Sequence, residues 1–261
     1  MKNLIQAVQR IGITVGVAAA MGSASIATQA ATPHTWDFGS GAGGNGKFTS
    51  PDRRYVSSGG LGVTISGWYG SDFGTGAGDN LNNANGDLRH WSGGLGLDRS
   101  DNPHTTDNSG DDELIAFVFD TAVSLTGMRF GWVEADSDAT IMYQTNANAG
   151  FSGLGSTSIS GLTSNGYSLL GNLLNPRTGN SSLPGDLDAP APAEPVYSKV
   201  WLVGAYLQGV TGNATRYAKA WDGFKIQTLV AHRMPGTSVP VPATLALLVF
   251  GAWAMRRRVT S

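Results

Sequence analysis

Between its two ends, the chain has no stretch of 12 or more residues with the apolar spacing of an amphipathic helix. Its apolar segments are short, and glycine, asparagine and aspartate separate them. Residues 114–119 form a continuous apolar run, which is typical of a strand buried on both faces, and residues 61–69 alternate over part of their length. These segments predict an all-β domain over residues 31–235, an antiparallel β-sandwich of jelly-roll type.

Several further segments favour strands. Met128, Phe130 and Trp132 alternate along the chain, so their side chains share one face of a predicted strand. Residues 167–174 fit either a strand or a short helix. Residues 175–198 contain five prolines and predict a long loop. The remaining predicted strands are residues 140–143, 199–207 and 224–230.

Composition excludes several classes of protein. The chain has no cysteine, which excludes a disulfide framework, a thiolate zinc site and an iron–sulfur cluster. Its net charge is −2 and only 14% of residues are charged, so it lacks the basic excess of an ordinary nucleic-acid binder. It has no Gly-x-Ser-x-Gly motif, no phosphate loop and no His-Glu-x-x-His pair.

The N-terminal segment, residues 1–30, is typical of a secretory signal peptide. Lys2 and Arg10 supply the positive region, and residues 11–22 are uncharged and mostly apolar. Ala30 and the residue two positions before it are small, which predicts cleavage after Ala30.

The C-terminal segment, residues 236–261, also has the pattern of a targeting signal. A proline motif precedes an apolar run over residues 245–255, and three arginines follow that run. The apolar run predicts a short transmembrane helix, whose arginines would stay cytoplasmic by the positive-inside rule. The residues of this predicted signal are Val239, Pro240, Pro242, Ala243, Thr244, Arg256, Arg257 and Arg258.

This tail resembles the PEP-CTERM sorting signal, with Val241 at the position where the family usually has an acidic residue. The resemblance implies that a secretion translocase exports the chain and that a membrane-embedded exosortase then processes it. It also implies a membrane-anchored intermediate, followed by placement at the cell surface or outside the cell of a Gram-negative bacterium. Such tails occur on unrelated passenger domains, so the tail does not specify the activity of residues 31–235.

A second pattern of residues extends through the domain from about residue 60 to residue 230. Its members are Gly94-Leu95-Gly96-Leu97, His104, Asp107-Asn108, Gly110, Glu113, Phe117, Phe119-Asp120, Gly131-Trp132, Asp136, Asp138, residues 198–206, Asp222 and Phe224-Lys225. With this pattern the domain resembles the exosortase-dependent surface proteins within the PEP-CTERM group. The resemblance implies a surface or extracellular-matrix protein with no catalytic residues to carry over. An exopolysaccharide is a candidate partner.

Acidic residues concentrate in one part of the domain. Ten of the 19 lie between Asp98 and Asp138, where the only basic residues are Arg99 and Arg129. Clustered carboxylates repel each other unless solvent or a cation separates their charges, and calcium prefers oxygen ligands. We predict either a calcium loop or a solvated acidic loop with Asx-turns, in which Asp107-Asn108 forms a turn and Gly110 takes a positive φ. The candidate calcium ligands are Asp98, Asp101, Asp107, Asn108, Asp111, Asp112 and Glu113.

Aromatic side chains suggest a second kind of site. Trp132 and Trp201 lie in strong predicted strands and are expected in the core. Trp68, Tyr69 and Trp91 lie in glycine-rich sequence and are candidates for an exposed platform that stacks on sugar rings.

Three functions follow from these features. The leading one is a non-enzymatic, exported surface or matrix protein, and the alternative is a calcium-stabilised carbohydrate-binding module. The third is a secreted glycoside hydrolase, because Glu134, Asp136 and Asp138 alternate and would share one face of a strand about 7 Å apart.

Overall fold

The fold is all-β, and the described strands pair antiparallel. A computed structural model describes residues 32–39, 46–47, 53–71, 80–99, 104–134, 137–146, 150–211 and 221–235. The strands are β1 (His34–Asp37), β2 (Gly46–Lys47), β3 (Arg54–Val56), β4 (Gly62–Gly70), β5 (Asn82–Asn83), β6 (Leu88–Trp91), β7 (Gly94–Leu97), β8 (Thr106–Asp107), β9 (Asp112–Val133), β10 (Ala139–Gln144), β11 (Tyr167–Leu173), β12 (Gly179–Ser182), β13 (Ser198–Ala205) and β14 (Gly223–Arg233). The described helical segments are α1 (Gln208–Thr211) and two 3-10 turns, Leu154–Ser156 and Thr163–Asn165.

Strand β9 is central to the sheet, because its 22 residues pair with different strands along its length. Its first part pairs with β4 and β13, and its second part pairs with β12 and β14. Asp120 and Thr121 are exposed between these two parts. The sheet therefore has two wings that share one strand, with β10 and β11 beyond β13 and with β7, β6 and β2 beyond β14.

The main hydrophobic cluster takes side chains from both wings, which makes the fold sandwich-like. Phe117 from the first wing and Phe130 from the second are both fully buried. Trp36 of β1 packs edge-on against Phe119 at 4.9 Å, and its indole nitrogen donates to the carbonyl of Leu61. Each large side chain buried in this way contributes about 1.5–3 kcal/mol.

A second, smaller cluster covers the other face of the first wing. Leu114, Ala116, Val200 and Leu202 project from β9 and β13 into this cluster. The connection between β10 and β11 packs over them with Leu154, Ile159 and Leu162. Residues 114–119 are therefore apolar without alternation because both faces of the first wing are covered.

The structure confirms the predicted all-β class and the strands predicted in the middle of the domain. Residues 114–119 and 128–132 fall within one strand, β9, instead of two. Within residues 167–174, for which the sequence fits either a strand or a short helix, Tyr167–Leu173 form strand β11. Residues 175–198 are not wholly a loop, because β12 pairs with β9 within them.

The predicted signal peptide, residues 1–30, and the predicted sorting tail, residues 236–261, lie outside the described residues. Within the described ranges, no helix has the length and apolar character needed to cross a bilayer.

Acid should destabilise the domain through His34. Its side chain is only 8% exposed and its Nδ1 lies 3.0 Å from Ser57 Oγ. Burial, with a smaller effect of the Arg233 charge, lowers the pKa of His34 below its ordinary value of 6.5. Because the unfolded state binds a proton that the folded state resists, the free energy of unfolding falls as pH drops below about 6.5.

The His34→Gln variant should therefore lose less Tm than the natural sequence between pH 7.5 and pH 5.5. Val56→Gln, which places the same side chain at a position that is 61% exposed and has no titratable group, serves as the control and should keep the natural slope. Equal slopes for His34→Gln and the natural sequence would contradict this assignment.

Candidate functional site

The acidic segment folds into a buried hydrogen-bonded turn before β9. Asp107 and Glu113 are both fully buried, and Glu113 Oε2 accepts from the backbone nitrogen of Asp107 at 3.1 Å. Asp107 Oδ1 accepts from Ser109 N at 2.8 Å, which closes an Asx-turn. Gly110 then takes a φ of 95°. These contacts confirm the predicted turn and the predicted conformation of Gly110.

Arg99 balances the charge of this turn. Its Nη2 lies 2.6 Å from Asp111 Oδ2, and its Nε lies 3.2 Å from Glu113 Oε1. Its guanidinium carbon lies 3.4 Å from the centroid of the Tyr69 ring. The Tyr69 ring, predicted to stack on a sugar, therefore already carries a protein cation on one face.

A second group of polar side chains joins distant segments beside this turn. Asn108 Nδ2 donates to Asp222 Oδ2 at 2.7 Å, and Asp222 N donates back to Asn108 Oδ1 at 2.8 Å. Asp222 Oδ1 accepts from Asp138 N at 2.7 Å, and Asp138 Oδ1 accepts from Asn175 N at 2.6 Å. The side chains of Asn108, Asp138 and Asp222, all buried or half-buried, thus connect the segments that precede β9, β10 and β14.

The other predicted calcium ligands do not share one point with this turn. Asp98 lies 3.5 Å from both Arg89 and His104, and Asp112 is buried at the start of β9. Asp101 lies outside the described residues. In the part of the chain that the structure describes, no three His, Cys, Asp or Glu side chains come together as a metal site would require. Calcium binding remains a prediction from sequence.

The carboxylates considered for glycoside hydrolysis do not lie on one strand. Strand β9 ends at Val133 and β10 begins at Ala139, so Glu134 and Asp138 belong to the connection between them. Asp138 is 2% exposed and holds the backbone of Asn175, while the side chain of Glu134 lies beside Gly223. The expected alternation on one strand face is wrong, and Asp136 lies outside the described residues.

The three residues predicted to form an exposed aromatic platform do not share one exposed surface. Trp68 is only 7% exposed, because the connection between β10 and β11 packs over it. Its Nε1 donates to Ser66 Oγ at 2.6 Å, which satisfies the buried indole. Trp68 therefore offers no exposed face, contrary to the prediction.

A different pair of tryptophans reaches the surface. Trp132 is 37% exposed, not buried as predicted, whereas Trp201 is buried as predicted. Phe130 faces Ile226 and Trp132 faces Lys225, so Gly131 is an extra residue on β9. This bulge reverses the alternation, and Val133 instead of Trp132 packs against the core.

Lys225 links Trp132 to Trp91, a half-buried member of the predicted platform. Its Nζ lies 5.1 Å from the centroid of each indole ring. Burial between these rings lowers the pKa of Lys225 from its ordinary value. The His104 ring lies 5.0 Å from Trp91 in an edge-on arrangement. We call Trp91, Trp132 and Lys225 the tryptophan–lysine face.

Glycines allow this face to form. A Cβ on Gly131 would lie 2.3 Å from the carbonyl oxygen of Gly93, and a Cβ on Gly94 would lie 2.2 Å from that of Ile226. The turn between β6 and β7 can therefore approach β9 and β14 only where side chains are missing. The sequence did not predict that Lys225 and Trp132 lie together at the surface. The glycines at 93, 94 and 131 are the sequence signal of this close approach.

Comparisons of the chain with protein-family models, with curated proteins and with solved structures return no match.

Proposed function

We propose that this chain is an exported, non-enzymatic surface or matrix protein with a jelly-roll-like sandwich domain, sorted by an exosortase through its C-terminal tail. The observation that carries the proposal is the combination of a proline motif, an apolar run and three terminal arginines within residues 236–261. An N-terminal segment typical of a signal peptide supports export of the same chain.

The position of the last described strand is compatible with cleavage of the tail without damage to the domain. Strand β14 continues to Arg233, which pairs with Val123, and Met234 N donates to Ala122 O. The proline motif begins only a few residues later, at Val239. Cleavage near that motif would leave every described strand intact.

Replacing Arg256, Arg257 and Arg258 with serine should abolish processing and surface display, because the arginines are the charges that hold the tail in its orientation. We expect display on intact cells to fall about tenfold or more, and the unprocessed mass to accumulate. A control variant with Arg129→Ser and Arg177→Ser, at exposed positions of the domain, should be processed normally. Normal processing and display of the triple variant would refute the proposal.

A carbohydrate-binding role is the second candidate, and the tryptophan–lysine face favours it. Two indoles lie on either side of one ammonium, so the face combines flat apolar surface with a hydrogen-bond donor. Such a combination suits the apolar face and the hydroxyl groups of a sugar ring. In this role calcium would bind the acidic segment and stabilise the domain.

The carbohydrate-binding role predicts that Trp132→Ala and Trp91→Ala each weaken retention on a polysaccharide by about tenfold, or about 1.4 kcal/mol. Trp221→Ala is the matched control, since Trp221 is 66% exposed and makes no ring contact with this face among the described residues. Affinity electrophoresis of the full-length protein, with calcium and with a chelator, measures both effects. Equal retention of all three variants would contradict the role.

A further inference from the structure

An open cleft of about 440 Å³ lies on the first wing, away from the tryptophan–lysine face. Its volume falls in the range of about 300–1,000 Å³ that small-molecule sites occupy. The side chains that could recognise a ligand there are Arg53, Thr64, Ser66, Asn85 and Phe151. They come from the residue before β3, from β4, from the turn after β5 and from the connection that follows β10.

Arg53 holds an unfavourable backbone conformation at this cleft. Its φ is 38°, in the left-handed region where glycine and asparagine are favoured and a long side chain is not. Strain of this kind persists only where the surroundings enforce it, and it concentrates at functional sites. The Arg53 carbonyl accepts from Ile65 N, which ties the strained residue to β4.

The charge of Arg53 is not balanced within the described residues. Its Nη2 donates to the carbonyl oxygen of Asn85 at 3.2 Å, and no described carboxylate lies within ion-pair distance of it. Partial burial lowers the pKa of the Arg53 guanidinium, which nevertheless stays charged. Its neighbour Arg54 differs, because both of its terminal nitrogens lie 2.7 Å from the carboxylate oxygens of Asp120.

The remaining walls supply neutral hydrogen-bonding groups and one aromatic ring. Asn85 Oδ1 accepts from Gly67 N, which leaves its amide nitrogen without a bond to any described residue. The Thr64 hydroxyl likewise makes no bond to the described part of the chain, and Thr64 is half-buried. Phe151 packs its ring at the edge of the smaller hydrophobic cluster. Hydrogen-bond donors and an aromatic ring that line the same cleft suit a polar ring that carries a negative group.

We propose that this cleft binds an acidic sugar residue, whose carboxylate or sulfate ester pairs with Arg53. The guanidinium fork matches a planar carboxylate or a sulfate bidentately, while Thr64 and Asn85 bond ring hydroxyls and Phe151 stacks on the ring. The source of such a residue, an acidic polysaccharide of the matrix, rests on the proposed surface location. The binding itself does not.

The test is calorimetric titration of the full-length protein with D-glucuronate, glucose 6-sulfate, glucose and inorganic sulfate. The informative variant is Arg53→Asn, because asparagine tolerates the left-handed conformation and should keep or raise Tm. Arg53→Gly is the second variant, and Arg129→Gln, which removes an exposed charge from the other wing, is the control.

We expect saturable binding of glucuronate or of the sugar sulfate, with glucose bound at least about tenfold more weakly because the ion pair is lost. Both Arg53 variants should lose about tenfold or more in affinity, and Arg129→Gln should match the natural sequence. The proposal is overturned by absence of binding to the natural sequence, by equal binding to Arg53→Asn, or by equal binding of glucose. Inorganic sulfate that binds as tightly as either sugar also overturns it. Failure of sorting in cells would leave these titrations unaffected.

Discussion

The Arg99→Met variant is expected to lose about 3–5 kcal/mol of unfolding free energy, because removal of one partner leaves a buried charge uncompensated. Glu113 is fully buried, and the Arg99 side chain, 17% exposed, is the cation beside it. The same change removes the contact with Asp111 and the stacking on Tyr69. Chemical denaturation of the full-length protein measures the loss.

Two further variants identify the cause of that loss. Arg99→Met combined with Glu113→Gln should recover part of it, since the second change removes the buried negative charge. Arg54→Met, at an ion pair with Asp120 whose side chains are 44% and 41% exposed, should cost only about 0–1 kcal/mol. A loss below about 1 kcal/mol for Arg99→Met would show that Glu113 does not depend on this cation.

Gly94→Ala should be the second severe change, with a loss of about 3 kcal/mol or more from backbone strain and overlap. The φ of Gly94 is 117°, which a residue with a Cβ rarely adopts, and that Cβ would lie 2.2 Å from the carbonyl oxygen of Ile226. The strand cannot relax locally because Leu95 pairs with Ile226. Thermal unfolding measures the effect, and tryptophan fluorescence should change as Trp91 separates from Lys225.

Gly86→Ala is the matched control for this change. A Cβ on Gly86 meets nothing within 4 Å, so its Tm should stay within about 2 °C of the natural value. A Gly94→Ala protein as stable as Gly86→Ala would contradict the close approach of β7 to β14.

The sequence was sufficient to predict the class of fold because the strongest signal, residues 114–119, reflects burial on two faces and needs no distant partner to be recognised. The turn at Asp107 and Gly110 was also predictable, because Asx-turns and positive φ are local properties. The merging of two predicted strands into β9 was not, because nothing in the chemistry of Asp120 and Thr121 distinguishes a bent strand from a loop.

The surface side chains were harder to predict because they depend on bulges and on covering segments. One extra residue at Gly131 moves Trp132 to the surface, and a connection more than 80 residues further along the chain buries Trp68. Arg53 gave no signal, since its strain and its position in the cleft arise only from tertiary contacts. The tryptophan–lysine face and the cleft both depend on contacts between segments that are distant in the sequence, which local sequence patterns do not predict.

The central place of β14 has a consequence for the order of folding. Strands β1, β7 and β8 all pair with β14, which is the last described strand of the chain. Because synthesis begins at the N-terminus, β1, β7 and β8 are made long before their shared partner, β14, exists. Pairings across such a long sequence separation close slowly, and the domain completes its second wing only after Arg233 has emerged. In the export that we propose for this chain, the domain would therefore stay incompletely folded until the residues up to Arg233 have crossed the membrane.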